Sequence, residues 1–168
     1  INYLSNNFMG RLRTYALVEA FPYSLCQSVV RLGAIDVSVD AFMKLARTPK
    51  ECCLFNAVNS HTIFLADIIG CLKERGRNIR FVEEDEFNAM LLKAGEDPSK
   101  AAIISSLLAY VNAAQDEKVR QVGIDCTYTN EILSRMGFFW NITDKSYVER
   151  FLSALEGLFF FDADNLVR

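Results

Sequence analysis

The chain has 168 residues, 51% of them hydrophobic, including 13 Phe, 6 Tyr and 1 Trp, which is enough for one domain with a sizeable core and argues against a disordered chain. Its 18 basic and 21 acidic residues leave a net charge of -3 and are mixed along the chain, so no field favours a phosphate backbone and nucleic acid is a poor partner. No apolar run reaches membrane-spanning length, and five cysteines without a CxxC spacing predict reduced thiols in a cytoplasmic protein.

The chain begins at Ile1 rather than Met, which leads to the expectation that it is a piece of something longer. Ile1 to Phe8 reads as a strand with an Asn-rich exit, and Arg11 to Phe21 as a short apolar helix or loop ending at Pro22. Val29 to Ile35 is a second extended candidate. Asp36 is placed to cap a following helix that Pro49 stops, and "CCLFNAV", Cys52 to Val58, is a short apolar run of strand length.

Thr62 is the expected cap of a helix over Ile63 to Arg75, whose apolar positions fall mostly on one side, with Gly76 at its end. Ile79 to Val82 reads as a strand. Glu84 to Ala94 reads as a helix with acids at its positive end, and Asp97-Pro98 opens an apolar helix running to Ala114. Val119 to Asp125 looks extended, Asn130 to Met136 helical with Gly137 as its stop, and Thr143 caps a last helix to about Glu156. The sum is a helix-rich α/β chain as a single domain over residues 1–168, with too few strands in βαβ order for a dinucleotide-binding sheet of about six.

The chemistry-bearing residues point the same way. Neither GxGxxG nor GxxxxGK occurs, so no turn cradles a phosphate. His61 is the lone imidazole, without a neighbour at metal-ligand spacing, and it reads as structural. Asp36 and Asp40 stand at helical spacing and read as capping and surface rather than an acid/base couple, and no Tyr has a Lys four positions on. The residues spell no self-sufficient active site, so no catalytic, cofactor-binding or metal-binding residue is assigned.

Four stretches in order nevertheless resemble the C-terminal part of the thioester reductase domains of nonribosomal peptide synthetases, in the extended short-chain dehydrogenase superfamily. "NNFMGR", Asn6 to Arg11, is similar to the family's Asn-Leu-Met-Gly-Arg segment. "LGAID", Leu32 to Asp36, looks like its Ser-Pro-Val-Asp turn, and Leu45 to Ile63 like its Thr-Pro turn, strand and Asn-containing loop. Val122 to Asp162 is similar to its closing Gly-Phe and Trp-Pro sequence and terminal helix. Leu4, Ala34 and Asn141 stand where that family usually has Arg, Pro and Pro.

The resemblance implies the C-terminal substrate-binding portion of an extended short-chain dehydrogenase (Rossmann-type) fold, lacking most of the dinucleotide-binding sheet. It implies NADPH as cofactor of the full-length protein, with the catalytic Tyr and Lys and the Gly-rich loop all before Ile1. It also implies a peptidyl or acyl thioester on a phosphopantetheinylated carrier protein as substrate, reduced to an aldehyde or alcohol, with upstream synthetase domains as partners. Asn7, Met9 and Arg11 match the segment that would line the cleft. The alternative is a non-catalytic helical module docking a carrier protein. A homodimer is expected, through the first strand or the Phe-rich tail Leu158 to Asp162.

Overall fold

Asn6 caps the first helix described. Its Oδ1 accepts from the amides of Phe8 and Met9 at 3.0 and 3.1 Å, satisfying donors that a helix start leaves without partners. The helix, α1, runs Asn7–Val18 and ends at Glu19, whose φ of 56° reverses the chain. The expected strand therefore does not include Asn7 and Phe8, because the asparagine that looked like a strand exit serves as a helix cap. This computed structural model describes residues 6–52, 54–98, 100, 101, 104, 107 and 124–162, so the rest of that expected strand lies outside the described residues.

After α1 come β1 (Ala20–Pro22), β2 (Val29–Val30), α2 (Ile35–Leu45), β3 (Ile63–Phe64), α3 (Leu65–Glu74), β4 (Arg80–Val82) and α4 (Glu84–Gly95). Pro98, Lys100, Ala101, Ile104 and Leu107 are helical, and the remainder of the expected helix to Ala114 is not described. Helices α5 (Thr127–Arg135) and α6 (Lys145–Gly157) follow. The chain divides into two units: Ile1–Ser28, Phe64–Val119 and Lys145–Arg168 form the first, and Val29–Ile63 with Arg120–Asp144 the second.

In the first unit β1 pairs in parallel with β4, Ala20 against Arg80, Phe21 against Phe81 and Pro22 against Val82. Pro22 has no amide to continue the ladder. Tyr15 of α1 meets the Phe21 ring edge-on at 5.1 Å and the Phe87 ring of α4 at 5.9 Å, and all three are buried. Leu65, Ile68, Ile69 and Leu72 repeat at helical spacing and make the buried side of α3. They face α6, whose buried side is Val148, Leu152 and Leu155.

The Phe-rich tail belongs to this interior. Phe160 and Phe161 are buried, and the guanidinium groups of Arg13 and Arg77 lie over their rings at 5.4 and 5.3 Å. Arg13 also donates to the Asp162 carbonyl at 2.8 Å. Cation–ring contacts hold these two aromatics inward, leaving Leu158 and Phe159 as the tail's exposed apolar residues.

In the second unit α2 and α5 pack together around Ala41, Leu45, Leu133, Phe138 and Trp140. Trp140 Nε1 donates to Asn130 Oδ1 at 2.9 Å, so the indole is buried without losing its hydrogen bond. Asp36 lies inside the first turn of α2, and Ala34 occupies the cap position; a carboxylate there gains from the helix dipole without capping.

Residues 54–58 form no strand. Their backbone is satisfied elsewhere: the Asn56 amide donates to Thr129 Oγ1 at 3.0 Å, and the Val58 amide to the Asn56 carbonyl at 3.0 Å. Thr62 does not cap α3, because Phe64 stands at the cap position and Ile63–Phe64 is extended and paired with β2. The last helix starts at Lys145, and the Thr143 hydroxyl instead accepts from Asn59 Nδ2 at 3.3 Å.

Candidate functional site

The three residues expected to line a cleft all fall on α1, in the first unit. Asn7 is exposed, whereas Met9 and Arg11 are half-buried. Helical rotation of about 100° per residue places Asn7 and Arg11 one turn apart on one face and carries Met9 to the other side. Arg11 lies 5.9 Å over the Phe8 ring, a contact that restrains the guanidinium near the helix start. The amide and guanidinium can therefore meet one ligand together, and Met9 faces elsewhere.

A nucleotide site fails on its own chemistry. Phosphate binding at a strand-to-helix turn needs free amides and an excess of positive potential at the helix start. The turns entering α2, α3 and α4 instead carry Asp36, Asp67, and the trio Glu84, Asp85 and Glu86 in the first helical turn. Each would repel a pyrophosphate. The parallel pairing of β1 with β4 involves two strands, short of a sheet that offers a crevice where the strand order reverses. The turns into α2, α3 and α4 therefore offer no pyrophosphate site.

Sequence spacing did not bring together a second feature, in the other unit. A shallow cleft of about 490 Å³ runs beside α2, lined by Asp36, Val37 and Asp40 and by Phe138, Phe139 and Asn141 after α5. The signal was present in Asp36 and Asp40 at a four-residue spacing, but the partner loop is a hundred residues away in sequence. Both carboxylates are exposed, so they suit a cation better than a proton-transfer role. Among the described residues no group of three or more His, Cys, Asp or Glu side chains gathers to hold a metal.

His61 is accounted for by structure. Its amide donates to Asn59 Oδ1 at 3.0 Å, and its Nδ1 lies 3.2 Å from the same oxygen. Asn59 is buried, and its Nδ2 donates to the carbonyls of Leu32 and Asn141 at 2.8 and 3.0 Å. Of the cysteines, Cys71 is buried, and Cys26, Cys52 and Cys126 are half-buried free thiols. Burial pushes the Cys71 thiol up, with Glu74 adding to it, which makes it a poor nucleophile. Among the described residues no helix is long and apolar enough to cross a membrane.

Known proteins were compared with the chain in three ways. No family model matches it, and neither does any curated protein. Solved structures do. A thiolation–reductase di-domain from an archaeal non-ribosomal peptide synthetase aligns over 96% of this chain at a TM-score of 0.80 and 24% identity. The terminal R domain from the myxalamid PKS–NRPS biosynthetic pathway aligns over 94% at 0.75 and 20% identity, and the aureusimine biosynthetic cluster reductase domain over 94% at 0.76 and 15%. The chain spans 33% of the first of these and 40% of the other two. Its helix-rich α/β fold is therefore one shared with part of each of these reductase structures.

Proposed function

We propose that this chain is the substrate-binding part of a terminal thioester reductase working in the cytoplasm. In this reading a carrier-bound peptidyl or acyl thioester is reduced to an aldehyde or alcohol. The observation that supports it most is the alignment over 96% of the chain with a di-domain that joins a thiolation domain to a reductase.

NADPH, held by a nucleotide-binding portion outside these residues, supplies the hydride. The role of this chain is to position the acyl and pantetheine groups. Asn7 and Arg11, a helical turn apart, give an amide and a guanidinium for the polar arm, while Met9 lends the opposite side of α1 an apolar contact. None of the three needs to exchange a proton, and the chain alone is inactive as a reductase.

Two titrations test the proposal. NADPH added to the chain alone is expected to give no saturable binding, and micromolar affinity would overturn the division of labour. A carrier domain bearing an acyl-phosphopantetheine arm is expected to shift NMR resonances of α1, and Arg11→Ala to weaken that binding about tenfold. Equal affinity of Arg11→Ala and the parent chain would remove α1 from the substrate path.

A further inference from the structure

Helix α2 is apolar on two sides, and the described residues cover one of them. Val37, Ala41 and Leu45 face the cluster that contains Leu133, Phe138 and Trp140. On the other side Ile35, Val39, Phe42 and Met43 are 74%, 50%, 58% and 55% exposed. Their spacing of four, three and one residues makes a continuous stripe along a helix of eleven residues. An apolar stripe of this length in water marks a surface that another body covers.

The charges beside the stripe identify the occupant. Asp36 and Asp40 lie in the first half of α2, Lys44 and Arg47 at its end. Asp36 and Asp40 share one flank of the stripe, Arg47 stands in the turn just past the helix, and Lys44 is turned to the Met136 carbonyl at 3.4 Å. A second α2 laid antiparallel, related by a two-fold axis near Phe42, sets Asp36 of one copy against Arg47 of the other, twice. In a parallel copy the charged flanks fall on opposite sides of the seam and do not meet, and a partner of uniform charge would meet one favourable and one unfavourable half. The pattern is complementary to its own reversed copy, as a two-fold interface requires.

We propose that α2 is a dimerisation face on which two copies of this chain pair antiparallel, with the Phe42 rings at the two-fold axis. The cleft beside Asp36 and Asp40 leaves room for the incoming Arg47 side chain. A contact built on one short helix buries less than the roughly 1,600 Å² of a standard interface, so the dimer forms and dissociates in the micromolar range.

Sedimentation equilibrium of the full chain, from low micromolar to several hundred micromolar, provides the test. The parent chain is expected to dimerise. Asp36→Arg and Arg47→Glu each place like charges opposite one another twice and weaken dimerisation about tenfold. Mixing these two variants restores the contact, because each then meets its complement. Phe42→Ser abolishes the dimer while circular dichroism stays that of the parent, since Phe42 is exposed. A monomer at every concentration, a dimer unaffected by Phe42→Ser, or failure of the mixed variants to pair would each overturn the proposal.

Discussion

The two units reach order by different physics. The first is held by area: Tyr15, Phe21 and Phe87 close on one another around the β1–β4 pair, and α3 meets α6 through aliphatic sides. Such burial is non-directional and shared among many contacts. The second has a small apolar cluster and a long irregular segment between α2 and β3, positioned by directed bonds to Asn59 and Asn56. Area gives a unit its stability, and a few hydrogen bonds give a loop its path.

The largest expected effect comes from removing area. Phe87 is 1% exposed, and Phe87→Ala is expected to cost about 3–5 kcal/mol through lost transfer energy and a residual cavity. Urea unfolding measures it. A loss below 1 kcal/mol would mean that the first unit is held by something other than its aromatic packing.

Removing direction should cost less and act locally. Asn59→Ala leaves the Leu32 and Asn141 carbonyls and the His61 amide without their present partner, at about 1–3 kcal/mol for buried groups so exposed. Hydrogen exchange is expected to accelerate at His61 and along the segment that precedes it, while α3 keeps its protection. Equal acceleration in both units would erase the distinction drawn between them.

The same distinction governs how much could be read from sequence. Strand β4, helix α4 with its acidic first turn, and α5 with its stop at Gly137, φ 69°, follow from local signals, because capping, dipole and left-handed turns act over a few residues. The misread stretches were settled by distant groups. Cys52 to Val58 has strand composition, yet its Asn56 amide goes to Thr129 and its Asn56 side chain to the Asp125 carbonyl. Phe160 and Phe161 read as sticky surface until Arg13 and Arg77 are seen over their rings. Asn6 carries a local signal, a helix cap, but beside apolar Phe8 the same asparagine also fits the end of a strand. That choice also bears on the site, because a helix sets Asn7 and Arg11 on one face and Met9 on another.

The smallest effect sharpens the comparison from a strongly directional contact within the first unit. Arg75 Nε lies 3.2 and 3.1 Å from Glu156 Oε1 and Oε2, and its Nη2 2.7 Å from Oε2, joining the end of α3 to α6. The Arg75 hydrogen bond holds the Glu156 carboxyl below its usual range against an opposing effect of burial. With side chains 25% and 30% exposed, solvent screens the pair, and Glu156→Gln is expected to cost about 0.5–1 kcal/mol. A lowered carboxylate value means that the unfolded chain takes up protons first as the pH falls. The contribution is therefore complete above the ordinary carboxylate range and fades between about pH 5 and pH 3. Thermal midpoints of the parent and Glu156→Gln should accordingly differ at pH 7 and converge near pH 3. A gap that stays constant with pH would show that the glutamate acts through packing, making even this contact one of area.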